Sequence, residues 1–152
     1  MIWSAIWSRL LVIGIACTPV LELKAAIPVG LANGLPLWET FIWAWVGSCL
    51  PVPLLLLFIR KMLNFLKGTK PFRRFAEWVE RRALRKSGNV RKYSLLGLFI
   101  FVAVPLPTTG VWTGSLIADL LDLRMKHALP VILLGNLVAG ILILMLSHYI
   151  IL

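Results

Sequence analysis

The chain has 152 residues, of which 60% are hydrophobic and only 14% are charged, and its mean hydropathy is +0.91. These values exclude an ordinary soluble domain and indicate an integral membrane protein, with room for about four segments of ~20 residues each. The formal net charge is +10, but one segment of the chain carries all of it, so we expect no nucleic-acid partner.

The chain begins with an apolar run at residues 2–21, interrupted only by Arg9. We predict that this run is the first membrane helix. A cleaved signal peptide is the alternative, but the charge comes late in the run and more apolar chain follows it. Cys17 in this run, and Cys49 later, have no His or Cys at ligand spacing, so we expect no disulfide, no metal site and no cofactor.

Residues 25–38 form a second uncharged run, which is only 14 residues long. At ~1.5 Å per residue this run is too short for a comfortable membrane span. Pro28 and Pro36 are expected to break it, because proline removes a backbone donor and clashes with the preceding turn. We therefore predict a re-entrant segment here, followed by a spanning helix at residues 40–59 that is kinked from Pro51 onward.

A basic segment, residues 60–92, separates the two apolar halves, residues 1–59 and 93–152, of a single membrane domain. It holds 12 of the 16 Lys and Arg residues and only two acids, and the rest of the chain is neutral. The positive-inside rule therefore predicts that this segment is cytoplasmic. We expect a multi-pass protein of the plasma membrane.

Apolar residues recur at helical spacing inside the basic segment, from Phe72 to Ala83, and Pro71 suits a first helical turn. This pattern predicts an amphipathic helix that lies in the headgroup plane, and a solvated helix is the alternative. Its arginines are the residues that we expect to contact anionic membrane lipid: Arg73, Arg74, Arg81, Arg82 and Arg85.

The second apolar half opens with an uncharged run at residues 93–118, long enough to cross a bilayer as one helix. Pro105 and Pro107 are expected to break it, since they remove two donors, and Gly110 permits a reversal. Backbone freed from a helix at membrane depth needs new hydrogen-bond partners. We expect hydroxyl groups to supply some of these, namely those of Thr108, Thr109 and Thr113. A last spanning helix is predicted at residues 128–152.

The two halves share a pattern that indicates an internal repeat, with chance as the alternative. Proline, glycine and asparagine residues mark the predicted hairpin turns, in the first half Pro28, Gly30, Asn33 and Gly34, and in the second Pro105, Pro107, Gly110 and Gly114. Each set precedes an apolar helix that carries a glycine beside a small polar residue, Gly47-Ser48 or Gly135-Asn136. Matching broken segments are typical of inverted-repeat transporters. The alternative for the glycines is close helix packing, because Gly30 and Gly34, like Gly110 and Gly114, are four residues apart.

We therefore predict an all-α integral membrane protein built as an inverted repeat. Two Pro/Gly-broken re-entrant hairpins are each followed by a spanning helix, and the basic amphipathic helix lies between the halves. If the second hairpin folds back, the C-terminus emerges outside. If residues 93–118 cross outright, the C-terminus returns to the cytoplasm.

Three charged residues flank the predicted hairpins and are the candidates for a substrate or proton site: Glu22, Lys24 and Asp119. Glu22 lies between two apolar segments, where burial favours a protonated carboxyl group and makes it a proton acceptor. A structural ion pair between Glu22 and Lys24 is the alternative. The sequence has no convincing Ser/His/Asp or Cys/His arrangement, so we do not expect an enzyme.

Three motifs occur along the chain: Glu22-Leu-Lys-Ala-Ala-Ile-Pro28 followed by Gly30, Pro71-Phe-Arg-Arg-Phe75, and Val104-Pro-Leu-Pro-Thr-Thr-Gly-Val-Trp-Thr-Gly114. They resemble the putative small multidrug export family. Where the family has Arg and Gly, this chain has Lys24 and Ala25, and Lys lacks the planar fork for bidentate phosphate contacts. The family is similar in turn to the DedA-like group, so the resemblance implies opposed re-entrant hairpins and movement of lipids, including polyprenyl phosphate carriers.

We therefore expect an integral membrane transporter that moves a hydrophobic or amphipathic substrate and is proton-coupled through Glu22. A DedA-like lipid flippase or scramblase is one alternative, in which the basic segment gathers anionic headgroups of phospholipid or polyprenyl phosphate. A non-transporting membrane scaffold is the second alternative. The size of the chain leaves open whether one copy or a homodimer encloses a pathway.

Overall fold

A computed structural model describes residues 2–107 and 109–151, and these residues form eight α-helices and no strand. The predicted all-helical class is confirmed. The helices are α1 (Ile2–Cys17), α2 (Glu22–Ala32), α3 (Leu37–Cys49), α4 (Val52–Gly68), α5 (Arg73–Lys86), α6 (Gly88–Ala103), α7 (Val111–Leu120) and α8 (Met125–Ile151).

Two stretches are long and apolar enough to cross a membrane. They are Leu37–Ile59, which runs through α3 into α4, and Met125–Tyr149 in α8. α3 ends at Cys49 and α4 begins at Val52, so the helix is interrupted at Leu50 and Pro51, where the kink was predicted. The shorter helices pack around these two long ones.

The N-terminal apolar run does not form the predicted full-length membrane helix. α1 ends at Cys17 and has 16 residues, which is about 24 Å at ~1.5 Å per residue and falls short of a ~30 Å hydrocarbon core. Only residues 18–21 separate α1 from α2, and the two helices pack on each other. They therefore form an antiparallel helical hairpin, the first hairpin.

The predicted break at Pro28 is wrong, because α2 is continuous through this residue. Pro28 lies in the second turn of α2, where its missing N–H removes only the hydrogen bond to the Lys24 carbonyl. The chain reverses at residues 33–36 instead, with Gly34 in the left-handed region at a φ of 78°. Pro28 and Gly30 are thus helical residues rather than turn residues.

The predicted break in the second half is confirmed. α6 ends at Ala103 and α7 begins at Val111, so a turn at residues 104–110 interrupts the uncharged run. α6 and α7 pack on each other and form the second hairpin. Between the halves, α5 confirms the helix predicted in the basic segment, with Pro71 two residues before its start.

The order of elements in the first half recurs in the second. The two long stretches begin 88 residues apart, at Leu37 and Met125, and the same spacing relates Gly47 to Gly135. A Cβ on Gly47 would lie 2.8 Å from a carbonyl oxygen of α1, and one on Gly135 would lie 3.0 Å from a carbonyl oxygen of α6. Each long helix therefore holds the first helix of its own hairpin at an equivalent close contact.

The same spacing shows which turn residues correspond. It relates Gly34 to Asp122, and both have positive φ, 78° and 56°. It also relates Glu22 to Gly110. Gly30 and Gly110, which were both predicted as turn residues, therefore do not occupy equivalent positions, since one is helical and the other lies in a turn.

Apolar side chains form two buried clusters. One joins α1, α2 and α3 to the C-terminal part of α8, where Ile143 and Leu144 complete it. The other joins α5, α6 and α7 to α4 and the N-terminal part of α8. α3 and α8 cross between the clusters, where the Asn136 amide donates a hydrogen bond to the Ser48 hydroxyl at 2.6 Å. Each long helix therefore supports both hairpins.

Candidate functional site

The turns of the two hairpins meet in the interior of the protein. The Lys24 ammonium on α2 donates a hydrogen bond to the backbone carbonyl of Thr109 in the second turn. The Glu22 carboxylate accepts a hydrogen bond from the backbone N–H of Trp112 at 3.3 Å, and it lies 3.6 Å from the Lys24 ammonium. The ion pair expected as an alternative for Glu22 and Lys24 is therefore present. The hydrogen bonds that its two members form with Thr109 and Trp112 join the two halves.

Glu22 has a buried side chain and a strained backbone conformation. Its side chain is only 7% exposed, and its φ of 49° lies in the left-handed region, which residues other than glycine rarely adopt. Such strain clusters at functional sites and persists only where surrounding contacts enforce it. The four-residue turn after α1 and the contacts to the second hairpin provide that enforcement.

Gly110 leaves the space into which the Glu22 carboxyl group fits. A Cβ at position 110 would overlap one carboxylate oxygen and lie 2.6 Å from Glu22 Cδ. The φ of Gly110 is 153°, which also disfavours a side chain. Both reasons require a glycine at this position.

The Glu22 carboxylate also caps α7. Gly110, at the start of α7, supplies no side-chain hydrogen bond to the first N–H groups, and these groups lack partners inside a helix. Glu22 binds one of them, the N–H of Trp112, and an ionised carboxylate lies favourably at the positive end of the helix dipole. The charge on Glu22 therefore strengthens the contact between the hairpins.

Thr109 shapes the second turn, in agreement with the role predicted for its hydroxyl group. This hydroxyl donates to the Val104 carbonyl at 2.7 Å and accepts from the N–H of Leu106 at 3.1 Å. The two prolines of the turn have no N–H, so the Thr109 side chain replaces bonds that a helix would make. Thr108 lies outside the described residues, and Thr113 lines the cavity that begins at this turn.

A groove of about 470 Å³, the central groove, opens from Glu22 and Lys24 between α4, α5 and α7. Its walls are largely apolar and include Met62 of α4, Trp78 of α5 and Leu116 of α7. Its charged lining residues are Glu22, Lys24, Arg82 and Lys86. An amphipathic molecule suits this lining, because apolar walls bury its chain while a few polar groups fix its orientation.

Asp119, the other predicted titratable site, is not brought to Glu22. It lies nine residues beyond Gly110 on α7, about 13 Å along the helix at ~1.5 Å per residue, and it is not among the residues that line the central groove. Asn33 and Gly34 lie at the opposite end of α2 from Glu22. Asn33 and Gly34, which were predicted as turn residues, lie in the turn that follows α2. Neither of them lines the central groove, and a substrate or proton role for Asp119 stays a prediction.

Close packing, the alternative weighed for the glycines, explains two more of them. A Cβ on Gly30 would lie 2.9 Å from the side chain of Val12, and one on Gly114 would lie 2.6 Å from that of Val102. Neither glycine lines the central groove. Both allow helices to approach closely instead.

The arginines of α5 divide between different surfaces. Arg82 lines both the central groove and a smaller cavity beside it, whereas Arg81 and Arg85 line only the smaller cavity. Arg73 and Arg74, at the start of α5, are exposed and line neither cavity. Contact of these five residues with lipid stays a prediction.

Two residues of the site were not predicted from the sequence, Trp112 and Lys86. Trp112 contributes its backbone N–H, and no side-chain pattern reveals such a contact. Lys86 follows Arg82 by four residues on a predicted helix, and this spacing places two side chains on one face. That spacing was the available signal for Lys86.

Residues 22–142 match the sequence profile of a family described as putative small multi-drug export protein. The chain belongs to this family. The match begins at Glu22 itself and includes Lys24 and the second turn. As a member of the small multi-drug export family with two long apolar helices, the chain is a membrane protein of an export family rather than of an enzyme family. No curated protein and no solved structure matches the sequence.

Proposed function

We propose that this protein is an integral membrane transporter that moves a hydrophobic or amphipathic substrate along the central groove, with Glu22 as the group that binds and releases a proton. One observation carries the proposal: the buried Glu22 carboxylate lies at the contact between the hairpins and also lines the groove. Ionisable residues at membrane depth are costly and mark transport or proton pathways. The family description supports an export function.

The proposal places the first turn near the middle of the membrane. Arg9 of α1 pairs with Glu39 near the start of α3. Cys17, at the end of α1, donates to the Gly47 carbonyl farther along α3. α1 and α3 therefore run parallel, and α1 ends beside the middle of the 23-residue stretch Leu37–Ile59.

The second hairpin has the equivalent relation to the other long helix. The end of α6 approaches Gly135, ten residues into α8. Phe41, near the start of α3, meets Gly140. Ser48, farther along α3, meets Asn136, which is nearer the start of α8. The long helices thus run in opposite directions, which supports an inverted repeat whose re-entrant hairpins enter from opposite sides.

The basic segment sets the orientation of this arrangement. The positive-inside rule places α5 in the cytoplasm beside the plasma membrane, with exposed Phe72, Phe75 and Trp78 at the headgroup level and arginines toward anionic lipid. The second hairpin then opens toward the cytoplasm and the C-terminus emerges outside. A reporter fused to the C-terminus tests this orientation, and a cytoplasmic reporter contradicts it.

Protonation of Glu22 provides a means to open the groove. While ionised, Glu22 attracts Lys24 and accepts the N–H of Trp112, and Lys24 holds the Thr109 carbonyl. A proton on the carboxylate removes its charge, so Lys24 loses its counter-ion and the contact between the hairpins weakens. Separation of the hairpins widens the central groove, and release of the proton restores the contact.

Transport in proteoliposomes under an imposed pH gradient tests the proposal, with fluorescent amphipathic dyes of positive, negative and zero charge as probes. We expect the unmodified protein to accumulate at least one class of dye, and Glu22→Gln to lose this activity. Glu39→Gln is the matched control, because Glu39 also pairs with a basic residue but does not line the groove. It should retain transport.

Far-UV circular dichroism and a single elution peak in detergent establish that each variant is folded. Gradient-driven transport by a folded Glu22→Gln variant contradicts the proposed role of Glu22. A headgroup-labelled lipid in both leaflets, with an external quencher, identifies a scramblase. Bleaching beyond the outer leaflet of intact vesicles without a gradient contradicts a coupled carrier.

A further inference from the structure

α5 forms one wall of the central groove. It supplies more of the residues that line the groove than any other helix does: Phe75, Trp78, Val79, Arg82, Ala83 and Lys86. Most of the remaining lining belongs to α4, α7 and the turns of the two hairpins. Movement of α5 away from these elements would therefore open the groove along one side.

Little apolar surface holds α5 against the rest of the protein. Its buried side chains, among those that the structure describes, are the small ones of Ala76 and Ala83. The large rings of Phe75 and Trp78 are more than half exposed. Because apolar stabilisation is proportional to the buried area, two alanines contribute little to it. An element with few buried apolar contacts separates from its neighbours at a low free-energy cost.

A glycine lies at each end of the segment that carries α5, and the folded structure requires neither of them. Gly68 is the last residue of α4, and Gly88 is the first residue of α6. Neither has a φ in the left-handed region, and a Cβ on either would meet no atom of the described residues within 4 Å. Glycine is costly in a helix but adds backbone freedom. Both glycines are therefore suited to act as hinges.

Charged groups act on α5 in opposite directions. The half-buried Glu80 carboxylate pairs with the Lys67 ammonium of α4 at 2.5 Å and ties the two helices together. On the groove side, three cationic lining residues accompany one carboxylate, and Arg82 and Lys86 of α5 carry the same charge as Lys24 of α2. Partial burial, together with the charges of Arg82 and Lys24, lowers the pKa of the Lys86 ammonium. The ion pair therefore holds α5 in place, whereas repulsion among the cations favours its separation.

We propose that α5 is a hinged lid on the central groove, with Gly68 and Gly88 as its hinges and the Lys67–Glu80 ion pair as its latch. The structure has the lid closed. This inference rests on the proposed function in treating the groove as the substrate path, and it adds an access step to that path. α5 controls entry to the groove from its own side of the membrane, whereas protonation of Glu22 acts on the contact between the hairpins.

Thiol labelling measures the opening of the lid without transport. Cys17→Ser and Cys49→Ser remove the native thiols, and a reporter thiol is introduced by Leu116→Cys on α7 or, in a second protein, by Leu63→Cys on α4. Both leucines line the groove, and they are only 7% and 4% exposed. The full-length protein in non-ionic detergent reacts with N-ethylmaleimide, and the labelling rate reports how often the lid opens. Leu144→Cys is the control, because Leu144 is 6% exposed but does not line the groove.

Loss of the latch should speed the labelling of the groove thiols. Glu80→Gln should raise the rate about threefold, as expected for loss of an ion pair that is not fully buried. Glu77→Gln is the matched control and should leave the rate unchanged, because the ion pairs of Glu77 with Arg73 and Arg81 lie within α5. Lys86→Gln removes one of the repelling cations and should slow labelling. Equal rates in Glu80→Gln and Glu77→Gln, or equal acceleration at the control thiol, overturn the inference.

Alanine at both hinges should slow opening without a loss of stability. Gly68→Ala combined with Gly88→Ala should keep or raise the unfolding temperature, because alanine favours a helix. The same variant should slow labelling about threefold, because alanine restricts the backbone. Gly14→Ala is the control, since its added Cβ also meets no atom within 4 Å, and it should leave the labelling rate unchanged. A double variant that is labelled at the unmodified rate overturns the inference.

Transport separates a failure of this inference from a failure of the proposed function. If Glu22-dependent dye transport is present while labelling does not respond to the latch and hinge variants, the lid alone is removed. If labelling responds to these variants but no gradient-driven transport occurs, the lid is supported and the proposed function is removed instead.

Discussion

The first and second hairpins each consist of two helices, but their turns differ. Four residues join α1 to α2, and the first residue of α2 is the strained, buried Glu22. Seven residues join α6 to α7, and the last of them is Gly110. The first hairpin supplies charged side chains. The second supplies the Thr109 carbonyl, the Trp112 N–H and, at Gly110, the space into which the Glu22 carboxyl group fits. Two identical turns would place like charges together or bring no charge at all, so the site depends on divergence between the halves.

Of the variants considered, Gly110→Ala should destabilise the contact between the two turns most. The added Cβ overlaps the Glu22 carboxylate and requires an unfavourable φ, which together should lower the free energy of unfolding by about 3–5 kcal/mol. Gly34→Ala is the control, because Gly34 also has positive φ but has no atom within 4 Å of the added Cβ. Its cost should be about 1–2 kcal/mol. Thermal unfolding in detergent compares the two, and equal losses would contradict a space-filling role for Glu22.

Lys24→Met should have the next largest effect. It leaves the buried Glu22 carboxylate without its counter-ion, at a cost of about 2–4 kcal/mol. Glu22→Gln keeps the shape and removes the charge, so we expect only about 1–2 kcal/mol. The double variant should be less destabilised than the sum of the two, because they share one interaction. A double-mutant cycle on the free energy of unfolding measures this coupling, and strict additivity would exclude it.

Gly47→Ala and Gly135→Ala sharpen the comparison at the equivalent helix contacts. Each added Cβ lies within 3.0 Å of a carbonyl oxygen of the neighbouring helix, so each should cost about 1–3 kcal/mol, with the larger loss at the tighter Gly47. Gly14→Ala is the control, since the added Cβ meets no atom within 4 Å, and it should stabilise α1 by up to about 1 kcal/mol. Thermal unfolding measures all three. If Gly135→Ala leaves the unfolding temperature unchanged while Gly47→Ala lowers it, the two helix contacts are not equivalent.

Thr109→Val should have the smallest effect. It removes the hydroxyl that bonds to Val104 and Leu106, at a cost of about 1–2 kcal/mol. Thr109→Ser keeps the hydroxyl and should be nearly neutral. Hydrogen exchange of the Leu106 amide provides a local measurement, since it should speed up in Thr109→Val alone. Faster exchange in both variants would assign the role of Thr109 to its methyl group.

The sequence predicted the second turn better than the first for a physical reason. Pro105 and Pro107 fall at the end of a helix and remove two donors together, so the helix stops. Pro28 falls in the second turn of α2, where a single missing bond is tolerated. The first helix ends at Cys17. The next residue is Thr18, whose hydroxyl donates to the Ile15 carbonyl at 2.7 Å, and this is a weaker signal within a long apolar run.

The charged side chains of the site could be predicted from the sequence, but the backbone groups that they bind could not. Glu22 and Lys24 stand out because charge is rare between apolar runs. They bind the Thr109 carbonyl and the Trp112 N–H, groups that nearly every residue possesses. Asp119 looks equally isolated in the sequence, yet its place on α7 keeps it away from Glu22.

The crossing of the long helices also governs when the protein can finish folding. Ile143 and Leu144, near the C-terminal end of α8, complete the apolar cluster around the first hairpin. The ribosome makes the first hairpin before it makes these two residues. The apolar cluster around the first hairpin therefore stays incomplete until α8 has been synthesised, and a chain truncated before α8 can bury neither hairpin fully.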